Sequence, residues 1–318
     1  MARAFVTGAT GFVGSAVVRC LLRRGIAVRA LLRPGSDCRN LAGLDVEPAY
    51  LDLLDEPGLV RGLAGCDTLY HVAAHYSTNE ADSQTMYAVN VKGTRTILSA
   101  ALRAGVQRVV HTSTIGTVGQ PSDHSLATEE TPYNLWNTAS HYAKSKYLAE
   151  VAALAMCARG LAVVVVNPCA PVGKCDIKPS STGQRILDYL QGKVPSFVPG
   201  GINFVAVDDV AEGEVLAAER GRLGERYILG SREGNLLLPD FLALMERVSG
   251  VPRALPRGGP LLSRLRRWRR HDKGFRPQAL TCDPSKSITE LGMPQTPLAA
   301  AFAEAVAWFR ENGYSGGG

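Results

Sequence analysis

Long apolar runs are missing from this sequence. Those present, such as Leu161 to Val166, are far too short to cross a bilayer, which argues against an integral membrane protein. The chain opens directly on a core-strand pattern, so no cleavable leader is expected. Paired cysteines are missing too. Seven stand singly (Cys20, Cys38, Cys66, Cys157, Cys169, Cys175 and Cys282), without the spacing of a disulfide framework or a metal site. Reduced thiols, a cytoplasmic location and no metal are the expectation. Internal repeats are absent. A general basic character is absent as well, although the net charge is +6. Between Arg253 and Arg276 nine Arg and Lys face the single acid Asp272, a net of +8, leaving about −2 for everything else. A nucleic-acid binder would not concentrate its charge in this way.

The informative stretch is Ala4-Phe5-Val6-Thr7-Gly8-Ala9-Thr10-Gly11-Phe12-Val13-Gly14. A short apolar strand meets three glycines, and an apolar helical run, Val13 to Leu22, follows at once. Gly8 suits the sharp turn off the strand and Gly11 the close approach of a pyrophosphate. Gly14 suits tight helix packing, and the helix start offers N–H groups to the anion. Thr10, Phe12 and Val13 complete the cradle. A bare glycine string is weak evidence, but strand before, helix after and position all fit a dinucleotide site.

Downstream, strands are expected at Ala27 to Leu32, Val46 to Leu51, Thr68 to Val72, Arg108 to Thr112 and Ala162 to Val166. Helices are expected around Leu59 to Leu63, Met86 to Ala104 and Ser140 to Arg159. This alternation means βαβ units and an α/β, doubly wound parallel (Rossmann) sheet over residues 1–168. Past Asn167-Pro168, prolines break the rhythm. Residues 169–203 and 231–318 are expected to form a smaller, mainly helical substrate lobe, with 204–230 packing back on the sheet. Asp208 to Arg220, Leu236 to Ser249 and Leu298 to Asn312 read as helices and Arg226 to Leu229 as a strand. The tail from Ser315 carries no ordering signal.

An NAD site usually places Asp or Glu at the end of the second strand to hold the ribose hydroxyls. None stands there: Leu32 is followed by Arg33, Ser36 and Arg39, with Asp37 only later in the loop. Guanidinium and hydroxyl groups suit a 2′-phosphate, which favours NADP(H) over NAD(H). The bland alternative is that both arginines are solvated loop charges. Asp52 and Leu53 are placed to cap the adenine, and Val72, Ala73 and Ala74 offer small residues beneath the ribose.

Tyr142 and Lys146 are four residues apart at the start of a helix, which puts phenol and ammonium on one face. The cation, with the nicotinamide charge, is expected to draw the phenol's pKa down and make Tyr142 a general acid/base. Thr114 can present a hydroxyl to the same substrate oxygen. Lys144 points elsewhere and reads as solvated.

Thr7-Gly-x-x-Gly-x-x-Gly14, Asp52-Leu53, Asn90-Val-x-Gly-Thr94, Thr112-Ser-Thr114, Tyr142-x-x-x-Lys146, Asn167-Pro168 and Val207-Asp-Asp-Val-Ala211 together resemble an extended short-chain dehydrogenase/reductase over roughly residues 1 to 230. Phe5 to Val18, Asp176-Ile-Lys-Pro179 and Gly224 to Gly230 carry a narrower likeness, to the dihydroflavonol-reductase-like group and to bacterial hopanoid-associated sugar epimerase-type proteins. The resemblance implies catalysis by Thr114, Tyr142 and Lys146, with Asn90 bracing cofactor and helix and Asn167 and Pro168 lining the cofactor. Serine is common at the position of Thr114, so a shift of one would make Ser113 the active hydroxyl. A homodimer through the helices Met86 to Ala104 and Ser140 to Arg159 is implied as well.

The same resemblance leaves reductase and epimerase to be separated. Sugar-nucleotide epimerases usually carry Arg-Asp-aromatic before the Val-x-Asp segment, the arginine holding the nucleotide pyrophosphate. Here the stretch reads Ile202-Asn203-Phe204-Val205-Ala206-Val207-Asp208. Ile202 cannot supply a hydrogen-bonding fork. A carbonyl reductase (or secondary-alcohol dehydrogenase) is therefore favoured over a sugar or sugar-nucleotide epimerase or dehydratase. A non-catalytic cofactor sensor would have no use for Tyr142 and Lys146. Over 260–270, Leu261, Leu265 and Trp268 form a stripe among arginines. That outline suits either a lid helix or a peripheral membrane contact serving a lipid-like substrate.

Overall fold

The computed structural model describes residues 2–123, 125–252 and 279–314. The basic segment, the expected helix at 260–270 and the tail from 315 lie outside the described residues. Seven strands form one wholly parallel sheet: β1 (Arg3–Thr7), β2 (Ala27–Leu32), β3 (Val46–Tyr50), β4 (Thr68–His71), β5 (Arg108–Thr112), β6 (Val163–Pro168) and β9 (Arg226–Leu229). Their order is β3-β2-β1-β4-β5-β6-β9. The chain reverses its direction of travel between β1 and β4, and a crevice opens there beyond the strands' carboxyl ends.

Both faces of the sheet's centre are covered, hence the unbroken apolar run Val163 to Val166 in β6, whereas the edge strand β3 carries Glu47, Pro48 and an exposed Tyr50. On one side α1 (Phe12–Arg23) and α7 (Val207–Arg220) bury Val6, Val110, Val166 and Tyr227. On the other, α2 (Glu56–Leu63), α4 (Thr94–Ala104) and α5 (His141–Ala155) bury Phe5, Leu69, Val109 and Val165. The helix expected from Met86 starts earlier, as α3 (Ser83–Tyr87), and runs into α4 through a π-helical turn, Ala88–Gly93. That widened turn carries Asn90, and such bulges often mark functional positions.

The smaller lobe is more mixed than its prolines suggested. A three-stranded sheet of β7 (Ala170–Val172), β8 (Ile202–Ala206) and β10 (Asn235–Leu236) supports α6 (Ser181–Leu190), α8 (Leu238–Ser249) and α9 (Leu298–Glu311). Phe204, Phe241 and Phe302 interlock at its centre, with ring centroids 5.4 to 5.7 Å apart. Among the described residues no helix is long and apolar enough to cross a membrane.

Candidate active site

Gly8, just past β1, has φ +69°, and a Cβ there would lie 2.8 Å from the backbone nitrogen of Ala73. A Cβ on Gly14 would collide with the Gly8 carbonyl oxygen, so the tightness at this glycine lies within the turn itself. Gly11 caps α1 in an extended conformation and brings no side chain to the first-turn N–H groups. This is the open, positive end of a helix, the cradle a pyrophosphate needs. Asn40 closes its rim by donating to the carbonyls of Thr10 (3.1 Å) and Cys175 (3.0 Å).

The residues expected at the ribose divide. Arg33 is exposed, and Ser36 accepts from its backbone N–H at 3.2 Å. Arg39 instead turns to Asp37, 2.7 Å away, whose carboxyl it draws down to about 2. Arg39 also lines a cavity of about 350 Å³ with Asn40, Cys175, Ile177, Trp308 and Tyr314, remote in sequence from α5. Asp52 is exposed and accepts from the Leu54 N–H, while Leu53 is buried against Gly93. Val72 and Ala73 are half-buried and Ala74 is exposed.

A chain of polar side chains runs from the glycine turn to α5. Thr7 Oγ1 accepts from the Ala73 N–H and meets His71 Nδ1 at 2.8 Å. Thr94 Oγ1 donates to the Asn90 carbonyl and meets His71 Nε2 at 2.9 Å. These bonds leave one consistent tautomer, with Nε2 protonated and Nδ1 accepting. Burial, with the Lys146 charge nearby, drives the His71 pKa down to about 3. Asn90 Oδ1 accepts from the His75 N–H, and its amide donates to the His75 carbonyl and to Ser145 Oγ. Ser145 Oγ in turn donates to the Tyr142 carbonyl. Asn90 thus braces the loop after β4 against α5.

Tyr142 lies half-buried in the first turn of α5, which Ser140 caps by accepting from Ala143 N–H. Lys146, one turn on, is buried and donates to the Thr112 carbonyl at 2.7 Å. The pKa expectation is overturned for the protein's own groups. Burial, followed by the nearby Tyr76, pushes the phenol above its ordinary range, while burial lowers Lys146 to about 8 against the pull of Glu150 and Glu214. Withdrawal from water is the leading cause of both shifts, and no lowering by Lys146 acts on the phenol.

Ser113 and Thr114 are placed very differently. Ser113 is buried and donates to Glu150 Oε2 at 2.5 Å. Thr114 is half-buried and its Oγ1 accepts only a 3.3 Å bond from Gly116 N–H among the described residues. Glu150 is a hub that sequence reading missed. Its Oε2 also accepts from Thr117 (2.7 Å) and Asn167 (2.9 Å), and its Oε1 pairs with Arg226 at 3.1 Å. The i, i+4, i+8 run Tyr142, Lys146, Glu150 was the available signal. Asn167 further donates to the Thr114 carbonyl (3.2 Å), and Pro168 ends β6 beside it.

The signature of the NAD dependent epimerase/dehydratase family matches residues 4–230. A Synechocystis protein with the provisional name dihydroflavonol 4-reductase is 39% identical over 98% of this chain and 95% of its own. Sterol demethylase protein B of Methylococcus capsulatus is 40% identical over 97% and 98%. The crystal structure of gox2253 superposes with a TM-score of 0.86 at 39% identity, covering 98% of this chain and 99% of that one. With the glycine cradle and the Tyr142–Lys146 helix on one parallel sheet, this chain belongs to the NAD dependent epimerase/dehydratase family, as an NAD(P)-dependent oxidoreductase of the extended short-chain dehydrogenase/reductase type.

Proposed function

We propose that the chain is an NADP(H)-dependent reductase that converts a carbonyl to an alcohol, or runs the reverse, with Tyr142 as proton donor. The observation that carries this is geometric: Tyr142 and Lys146 lie one turn apart on α5, and Lys146 Nζ is fixed on the Thr112 carbonyl at the end of β5, two residues before Thr114. A protonated phenol is the form that can hand a proton to a carbonyl oxygen at neutral pH. When bound, the reduced dinucleotide supplies the hydride. The chain's own residues do the rest. The α1 N-terminus holds the pyrophosphate, Tyr142 Oη gives the proton, Lys146 Nζ places positive charge beneath it, and Thr114 Oγ1 orients the substrate oxygen.

Arg33 and Ser36 support preference for a 2′-phosphate, whereas Arg39 must exchange Asp37 to take part. Ile202 is 1% exposed in the lobe core, so the position where epimerases present a pyrophosphate-binding arginine faces apolar packing. The substrate is thus a small carbonyl or alcohol compound, lipid-like or sugar-like in its remainder. A cytoplasmic homodimer is part of this reading.

Fluorescence titration of the purified protein with NADPH and NADH tests it. Preference for NADPH, with affinity reduced about tenfold or more in Arg33→Ala, is the expected outcome. Tightly retained NAD would overturn it and move the epimerase to first place.

A further inference from the structure

The loop after β4 is fixed on both sides of one residue. Before it, the Ala73 N–H is bonded to Thr7, and both the N–H and the carbonyl of His75 are bonded to Asn90. Beyond it, Ser77 Oγ donates to Asp82 at 2.6 Å and accepts from the Asn79 N–H at 3.0 Å. Between these clamps stands Tyr76. Its ring meets the Tyr142 ring edge-on, centroids 4.9 Å apart and planes at 82°. Its hydroxyl reaches across to the smaller lobe and pairs with Ser181 Oγ, on the first turn of α6, at 2.7 Å. The side chain is nonetheless 52% exposed. Arg185, one turn further along α6, donates to the carbonyls of Ser181 and Ser196, so the surface that receives Tyr76 is itself held in place.

A large ring on a fixed backbone, seated on the catalytic phenol and held at its tip by a single hydroxyl pair, has one soft coordinate: rotation of the side chain. We propose that Tyr76 is the specificity-determining gate of this enzyme, closing over Tyr142 when bonded to Ser181 and turning outward to admit a substrate. This rests on Tyr142 being the proton donor. The phenol stays shielded while the gate is shut, and a carbonyl compound must displace the Tyr76 ring and break its bond to Ser181. Substrate size is then read by the side chain at position 76, and the opening penalty by Ser181.

The test compares the wild type with Tyr76→Phe, Ser181→Ala, the double variant and Tyr76→Ala. Both side chains are exposed enough that folding should survive, which thermal melting verifies. Nitration of Tyr142 by tetranitromethane, followed by peptide mass spectrometry, reads shielding without any turnover. One hydrogen bond shifts such an equilibrium by about two- to tenfold. Both single variants are therefore expected to nitrate Tyr142 faster by that factor, and the double variant no faster than either alone, because both remove the same bond. Tyr76→Ala is expected to raise kcat/KM for a fused-ring ketone (1-tetralone) over benzaldehyde about tenfold, with NADPH affinity unchanged. Equal nitration in all five proteins, or additive effects in the double variant, would overturn the gate. Turnover that persists in Tyr142→Phe would instead sink the proton-donor reading, while the nitration rates still decide whether the ring shields the phenol.

Discussion

At Tyr142 and Lys146 one turn of helix is used for opposite displacements of two pKa values, and burial causes both. The pair sits where two neutral forms would be cheapest, yet the proposed reduction needs the lysine charged. Lys146 is protonated below its pKa of about 8 and neutral above it. Carbonyl reduction is therefore expected to hold level from pH 6 to 7.5 and to fall through pH 8 to 9, as the cation beneath the phenol is lost. Lys146→Met should remove that limb and lower the plateau. Removing the donor in Tyr142→Phe should lower kcat by about 10²- to 10⁴-fold with NADPH binding retained. A pH series of initial rates with the three proteins checks both. A wild-type profile flat across pH 8 would show that Lys146 acts in some other way. Thr114 and Ser113 make a second contrast at this scale. They are neighbours in sequence, but Ser113 is committed to Glu150, whereas Thr114 Oγ1 is half-buried and accepts only from the Gly116 N–H among the described residues.

Helix α5 does two jobs with one face. Its first turn carries the phenol, its second the ammonium, and its third Glu150, which gathers Ser113, Thr117, Asn167 and Arg226 from three other elements. Replacing Glu150 by Ala leaves the Arg226 guanidinium and three buried donors without their carboxylate. Breaking a buried pair in this way costs about 3–5 kcal/mol, which urea unfolding would register as a lowered midpoint. Glu150→Gln keeps an acceptor for some of the donors and should lose less. The spacing 142, 146, 150 was visible in the sequence, but the partners of Glu150 were not, because β9 and the Thr114 loop reach it only through the fold. The same distinction explains which elements were legible. Strands β1, β2, β4, β5 and β6 are mostly apolar segments bounded by glycine or polar turns, and β9 follows the Gly224 turn, so their limits were read nearly to the residue. Strand β7 has three residues, β10 has two, and α6 carries Gly183 amid polar neighbours. Such segments are ordered by packing on Phe204 and Phe302 rather than by any local pattern.

For the whole molecule, the buried titratable groups oppose one another as pH changes. Glu214, fully buried with Oε1 bonded to Thr112 at 3.0 Å, has its pKa raised to about 8 by burial. The native state therefore holds its proton more tightly than the unfolded chain. The associated cost is present above pH 8 and disappears as pH falls toward 4.5. Asp176, raised to about 6, acts in the same direction over a narrower range. The histidines have the opposite sign. His71, lowered to about 3, and His111, also lowered by burial, resist protonation when folded, so stability is lost as pH drops from 6.5 toward 3. For His71 alone the full window corresponds to about 4–5 kcal/mol, a large share of the roughly 5–15 kcal/mol that holds a domain together. Among these four groups the opposing slopes nearly cancel between about pH 4.5 and 6, so stability should peak near pH 6.5, change little down to about pH 4.5 and collapse below it. His111 is the sharper probe, because neither of its ring nitrogens has a hydrogen-bond partner among the described residues. His111→Leu gives up no bond and removes one buried group that must charge. Urea midpoints measured from pH 4 to 8 should show the variant at least as stable as wild type at pH 7, with its acid collapse displaced downward by roughly half a unit or more. An unchanged acid limb would assign the collapse to His71, whose ring is held between Thr7 and Thr94, and so to the polar chain that ties the glycine turn to α5.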